Sequence, residues 1–302
     1  MNALTARAPG KLNICLHLGP VRADGLHEIA SLFDSVSLAD TLVIRPTDGL
    51  HDRAVCPGVE GENLAERALR AAREAGLLGG PPLEVTIEKH VPVAAGMGGG
   101  SADAAAALRL AAALSDRPVS DFERVAFALG ADVPSQLTPG AVLVHGAGER
   151  VAAIEPACLQ AAAQRAYVIV EQRVGLSTAE VFGQADRAGL PDPAIVQQEE
   201  ALLERIAEGL DVRQFAALVE NALEPAIVAL RPELANLPER LRDAGALAAA
   251  FTGSGPTSFG VFATADQARA AAEQLRAGGQ IAHVATPVDA AFGAPRPFEE
   301  TS

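Results

Sequence analysis

The chain has 302 residues, 49% hydrophobic and 21% charged, with a formal net charge of −14 at neutral pH. That length supplies one large core or two ordinary ones, and the acidic balance excludes a general nucleic-acid binder, which needs a basic surface. No apolar run approaches the roughly 20 residues that span a bilayer, and the first residues, Met1 to Arg7, lack the apolar stretch of a secretory signal, so no membrane partner is expected. Cys15, Cys56 and Cys158 are odd in number and widely spaced, which reads as reduced thiols in a cytoplasmic protein rather than a disulfide framework or a metal site.

In chain order, Asn13 to Leu18 is a short apolar run suited to a strand, and Asp40 to Arg45 is another. Asn63 to Ala75 has helical spacing, with Leu64, Ala65, Ala68 and Leu69 on one side. Leu83 to Lys89 alternates apolar and polar residues, as a half-buried strand does. A glycine-rich loop follows, then Ala102 to Ala113, which has strong helix propensity, a helix over Phe122 to Leu129 and a strand over Ala141 to His145. Residues 155–165 read as a boundary. Beyond it come a strand at Tyr167 to Val170 and helices at Ile195–Glu208, Val212–Glu220 and Pro232–Ala244. A second glycine loop at Gly253–Gly255, a strand at Ser258–Phe262, a helix at Ala265–Ala277 capped by Thr264 and a strand at Ala282–Pro287 complete the chain. The expectation is α+β, in two domains spanning 1–158 and 159–302.

The net negative field repels anionic ligands, so a phosphate site has to be built locally from backbone N–H groups and a few placed cations. Only two of the 24 basic residues are lysine, Lys11 and Lys89, in a chain that otherwise uses arginine. The segment Gly96-Met97-Gly98-Gly99-Gly100-Ser101, placed before a strong helix former, lets the backbone close around an anion and aims N–H groups and the helix dipole at it. Ser101 adds a hydroxyl suited to a phosphate oxygen or Mg²⁺. The segment lacks the lysine of GxxxxGK[ST] and the last glycine of GxGxxG, so neither a P-loop nor a dinucleotide fold follows. The residues at His17, His51, His90, His145 and His283 have no motif context and read as structural.

Three segments together resemble the GHMP family of small-molecule kinases: Ala8-Pro9-Gly10-Lys11-Leu12-Asn13, Pro92 through Ala105, and Thr252-Gly253-Ser254-Gly255-Pro256. Two more, Arg22-Ala23-Asp24-Gly25-Leu26-His27-Glu28 and Gly130-Ala131-Asp132-Val133-Pro134, are similar to one branch of that family. The resemblance implies an N-terminal mixed α/β domain with a left-handed βαβ crossover, a C-terminal ferredoxin-like domain and a cleft between them. The implied activity is phosphorylation, by ATP with Mg²⁺, of the 2-hydroxyl of a cytidine-diphosphate-linked polyol in non-mevalonate isoprenoid precursor synthesis. The partner is a small molecule, and the chain a monomer or weak homodimer.

Roles implied by the resemblance follow residue by residue. Asp132 is the base or orienting group for the hydroxyl, and Lys11 stabilises the transferring phosphoryl group. Pro92, Gly96, Met97, Gly98, Gly99, Gly100, Ser101 and Ala102 bind the triphosphate. Asn13, Asp24, His27 and Phe182 contact the acceptor, with His27 on the cytosine edge, and Gly253, Ser254 and Gly255 close that side. No protein metal ligand set is implied. Leu26 stands where the branch has Tyr, which loses about a kcal/mol of stacking on the base. Other GHMP kinases, acting on homoserine, mevalonate or a sugar, have no use for Asp24, His27 or the Gly-Ala-Asp-Val-Pro segment, and a non-catalytic nucleotide-binding relative has no use for Lys11 and Asp132.

Overall fold

The structure is a computed structural model, which describes residues 3–59 and 61–299. Its elements run β1 (Leu4–Val21), β2 (His27–Pro46), β3 (Arg53–Val55), α1 (Leu64–Glu74), β4 (Leu83–Glu88), α2 (Gly99–Leu114), α3 (Glu123–Leu129), α4 (Val133–Gln136), β5 (Ala141–Gly146) and β6 (Arg150–Ala153). They continue with β7 (Ala166–Glu171), α5 (Thr178–Arg187), α6 (Ile195–Ala207), α7 (Val212–Ala216), β8 (Glu220–Asn221), α8 (Glu224–Leu230), α9 (Leu237–Asp243), β9 (Ala248–Phe251), β10 (Ser258–Phe262), α10 (Ala265–Ala277), β11 (Ile281–Ala285) and β12 (Arg296–Pro297).

The first sheet is organised by a long antiparallel hairpin. β1 and β2 pair from Leu4↔Ile44 to Val21↔His27, with register shifts at Pro9/Lys11, Asn13/Cys15 and Leu18/Val21. The first two shifts skip Gly10 and Ile14, while Lys11 and Asn13 stay paired with Ser35 and Phe33 and present their side chains to the cleft. The far edge of β2 pairs with β5 along residues 29–34 and with β4 along 41–46. β3 and β4 are parallel neighbours joined through α1, a βαβ unit.

The strands expected at 13–18 and 40–45 are therefore pieces of much longer ones. Residues 8–16 of β1 and 30–36 of β2 are buried on both faces, so no alternation marks them; 40–44 alternates and was legible. The helix expected at Val212–Glu220 stops at Ala216, because Glu220 and Asn221 turn to pair in parallel with Cys15 and Leu16 of β1. The one expected at Pro232–Ala244 breaks into a 3-10 turn at Pro232–Leu234 and α9, since Pro238 fits only the first turn of a new helix.

The second sheet is antiparallel with order β11-β7-β10-β9. Taken in chain order that is 4-1-3-2, the ferredoxin-like arrangement, with α5 to α9 between its first two strands and α10 between its last two. The two sheets share a core, in which Leu12, Ile14 and Leu32 of the first pack with Tyr167, Ile169 and Phe259 of the second. At its centre Asp34 Oδ2 accepts hydrogen bonds from Arg165 Nη2 (2.7 Å), Arg165 Nε (3.0 Å) and the Tyr167 hydroxyl (2.5 Å). β12 returns to the start of β1, so the end of the described chain closes the first sheet rather than the second.

Candidate active site

One cleft of about 1120 Å³ runs between the two sheets, and the glycine loop forms its floor. Residues 99–114 fold as α2 because Ala and Leu dominate from Ala102 on, and the small alanines let the helix sink between α1 and β1. Gly98 precedes it at φ +66°, a left-handed position, and Gly96 sits at φ +75°. The N–H groups of the first turn, Gly99 to Ser101, point along the helix start with the positive end of the dipole behind them.

Lys11 lies across this loop. Its backbone N–H donates to Met97 O at 2.9 Å, and its stem passes so close to Gly98 that a Cβ there would lie 3.2 Å from Cε. Its ammonium donates to Asn13 Oδ1 at 2.6 Å, rests 4.6 Å from the centre of the Phe33 ring and lies 3.6 Å from Asp132 Oδ2. The Lys11 side chain is 5% exposed, so this partnership with a carboxylate keeps a buried charge tolerable. Asp132 stands at the start of α4 but makes no capping hydrogen bond with its side chain, which leaves the carboxylate facing the cleft.

Behind the loop lies a second cluster. Lys89 Nζ donates to Asp40 Oδ2 at 2.5 Å and Asp103 Oδ2 at 2.8 Å, and a Cβ on Gly99 would sit 3.3 Å from that ammonium. Asp40 Oδ1 also accepts the N–H of Val91 at 2.8 Å, pinning the segment that leads into the loop. Burial pushes the Asp103 carboxyl up to about 7, against the pull of Lys89, and its Oδ1 is buried without a partner.

The cleft has two lobes. On one side Cys56, Val59, Asn63, Leu64 and Val93 form a largely apolar wall beside the loop, suited to a nucleobase. On the other, Leu26, His27 and Ile29 face Thr178, Phe182 and Asp186 of α5. The His27 and Phe182 rings are 5.1 Å apart, tilted by 52°, and His27 Nε2 is 2.7 Å from Asp186 Oδ1. The second glycine loop closes this side: the Ser254 and Thr178 hydroxyls are 3.0 Å apart, and Asn221 Nδ2 donates to Gly253 O at 2.8 Å.

Of the residues singled out from sequence, Lys11, Asn13, His27, Pro92, Gly96, Gly98, Gly99, Gly100, Ser101, Asp132, Phe182, Gly253, Ser254 and Gly255 all line this cleft. Three do not. Asp24 accepts the Leu26 N–H at 3.0 Å and pairs with Arg22 at 3.2 Å, so it shapes the turn between β1 and β2. Met97 is fully buried beneath the loop, where its methyl packs on Gly10, and Ala102 is buried within α2. Sequence reasoning missed Phe33, Asp103, Thr178, Asp186 and the apolar wall. It had a signal for Lys89, the second of two lysines, and did not use it. Among the described residues no group of three or more His, Cys, Asp or Glu is placed to hold a metal ion, and no helix is long and apolar enough to cross a membrane.

A lysine and a carboxylate poised over an anion-binding helix start, inside one cleft, are the parts of a phosphoryl-transfer site. The model of the GHMP kinases N terminal domain matches residues 63–140, and that of the GHMP kinases C terminal matches 199–281. The chain belongs to the GHMP kinase family. This GHMP kinase is 39% identical to a 4-diphosphocytidyl-2-C-methyl-D-erythritol kinase of Streptomyces coelicolor, over 97% of this chain and 98% of that one. It is 38% identical to a protein of the same name from Thermobifida fusca, over 95% and 96% of the two chains. A crystal structure of 4-(cytidine 5'-diphospho)-2C-methyl-D-erythritol kinase superposes with a TM-score of 0.72 at 32% identity, covering 94% of this GHMP kinase and all of that chain. A homoserine kinase from Cytophaga hutchinsonii has a TM-score of 0.71 at 18% identity, a likeness of fold alone.

Proposed function

We propose that this GHMP kinase transfers the γ-phosphoryl group of ATP to the 2-hydroxyl of 4-diphosphocytidyl-2-C-methyl-D-erythritol. The observation that carries the reading is the Lys11–Asp132 pair, held 3.6 Å apart between the phosphate loop and a wall where the His27 ring meets Phe182 at a tilt. The full-length similarity to kinases of that name selects the acceptor.

In this reading the N–H groups from Gly98 to Ser101 hold the triphosphate and the apolar wall around Cys56 takes the adenine. Asp132 accepts the proton of the attacking hydroxyl or aligns it, and Lys11 stabilises charge on the phosphoryl group in flight. Asn13 fixes Lys11 by accepting its hydrogen bond. Mg²⁺ fits as an ion carried by the nucleotide's phosphates, because such ions keep several waters and need only one or two protein oxygens. The Ser101 hydroxyl and the unpartnered Asp103 Oδ1 are the oxygens to hand, and the ion's chemistry would be charge neutralisation on the phosphates. Cytosine would lie between Phe182 and Leu26, the latter half exposed at the mouth of the lobe. The same reading divides the chain at residue 158, keeps it a monomer or weak dimer and places it in the cytoplasm.

A coupled ADP-release assay tests it, comparing the cytidyl acceptor with mevalonate, homoserine and galactose, and with Asp132→Asn as control. Selective turnover of the cytidyl acceptor, lost in the variant, is expected. Turnover of another alcohol would leave the kinase chemistry and discard the acceptor.

A further inference from the structure

The acceptor lobe contains a contact that phosphoryl transfer by Lys11 and Asp132 does not use. His27 opens β2, and its side chain is 8% exposed. Its Nε2 lies 2.7 Å from Oδ1 of Asp186, which α5 presents from the other side of the cleft. Phe182 is one turn earlier on the same helix, and its ring meets the imidazole at 5.1 Å. Residues four apart share a helix face, so α5 holds the imidazole through the Phe182 ring and the Asp186 carboxylate at once. No hydrogen bond from Nδ1 to the protein is present among the described residues.

We propose that Asp186 is a positioning residue that fixes the orientation of His27 and the place of its proton, so that the ring reads the base edge of the acceptor. The proposal rests on the reading that the acceptor carries cytosine. An ionised carboxylate only accepts hydrogen bonds, so the imidazole nitrogen facing it carries a proton and Nδ1 is the nitrogen left for the base. Cytosine and uracil exchange roles at two adjacent edge positions: N3 accepts and the 4-amine donates in cytosine, while N3–H donates and the 4-carbonyl accepts in uracil. A ring held with its proton in place meets these edges unequally. A ring free to turn over, or to move its proton, adapts to either. Partners of this kind behind a functional histidine set its tautomer without touching the ligand.

The test uses the full chain with Asp186→Ala and Asp186→Asn, assayed with the cytidyl acceptor and its uridyl counterpart. Loss of the positioning carboxylate should raise KM for the cytidyl acceptor by about tenfold, with kcat within about twofold of wild type. The cytidyl-to-uridyl ratio of kcat/KM should fall, and Asp186→Asn, which keeps an acceptor oxygen, should lie between. Nitrogen-15 spectra of the histidines in the free protein should show His27 protonated at Nε2 in wild type and a mixture of tautomers in Asp186→Ala. Unchanged KM and base discrimination would overturn the proposal, as would an equal loss of kcat with KM untouched, which marks a different role. A wild-type chain that ignores the cytidyl acceptor would instead overturn the function reading, and with it the base-reading role. The nitrogen-15 spectra would then still decide whether Asp186 sets the proton.

Discussion

Thr252 and Asn13, from opposite sides of the cleft, hold each other through one hydroxyl. The Asn13 N–H donates to Thr252 Oγ1 at 3.0 Å, and the hydroxyl proton is shared between Asn13 Oδ1 at 3.2 Å and Gly96 O at 3.4 Å. Because Asn13 Oδ1 also receives the Lys11 ammonium, Thr252 sits one link behind the cation of the site. Thr252→Val keeps the shape and removes the hydroxyl, leaving a buried N–H without its acceptor, at about 1–3 kcal/mol. A fall in the urea midpoint with a roughly tenfold lower kcat is expected, since a displaced Lys11 no longer meets the phosphoryl group. Thr252→Ser should restore most of both.

Asp132 couples chemistry to the stability of the site. Its side chain is about one-third exposed and its charge balances the buried Lys11 ammonium, so Asp132→Asn should lower the unfolding midpoint, by less than loss of a fully buried counter-charge would. Loss of a proton-accepting carboxylate lowers kcat by about 10²–10⁴-fold. ATP affinity, followed by titration calorimetry, should change by no more than a few-fold.

The glycines of the loop are not equivalent. A Cβ on Gly96 would lie 2.3 Å from Thr252 O, at a φ of +75°, so Gly96→Ala has to push the two loops apart. On Gly100 a Cβ meets nothing within 4 Å, inside a helix that Ala favours by about 1 kcal/mol. Gly96→Ala should therefore lower both thermal stability and ATP affinity. Gly100→Ala should fold at least as well as wild type and act only through KM for ATP.

Asp34→Ala tests the join between the sheets. Removal of the carboxylate leaves the Arg165 guanidinium, 4% exposed, with no counter-charge. Breaking such a pair costs about 3–5 kcal/mol. The loss should appear in chemical denaturation, and Asp34→Leu combined with Arg165→Met should recover part of it. Both sheets should unfold in one transition, because they share that core.

Burial holds the Asp103 carboxyl at about 7 against an ordinary value of 3.8. Across that interval the folded protein keeps a proton that the unfolded chain has released, so stability from this group falls as pH rises and levels off above about 7. The difference in unfolding free energy between wild type and Asp103→Asn should drift in favour of the variant from pH 4 to 7 and then stay constant. A flat difference over that range would show that Asp103 is ionised throughout.

The parts of the site that depend on residue type were legible in the sequence. Scarce lysines and successive glycines before an Ala-rich helix together point to a local phosphate site, and Asp132 is singled out by the family resemblance of its segment. The relationships that depend on the fold were not. Nothing local in residues 8–16 or 30–36 separates a strand buried on both faces from a buried helix, and Pro9 and Gly10 argue against a strand until the bulge is seen. The Ala-rich run of β9 has helix propensity and is a strand because Ser258 to Val261 pairs with it. Asp24 stands inside a motif yet serves a turn, whereas Asp186 has no motif and meets His27 across a sequence separation of 159 residues.

The contact between Gly96 and the carbonyl of Thr252 has a thermodynamic side. The same loop runs on to Ser254, which Thr178 holds at the start of the helix that also carries Phe182 and Asp186. In the proposed reading, nucleotide and acceptor would therefore press on one continuous piece of backbone from its two ends. If the first to bind changes the affinity for the second, linkage requires that the second change the first by the same factor. Order of addition can alter the rates of this enzyme's approach to its ternary complex, but the free energy shared through that loop is the same from either direction.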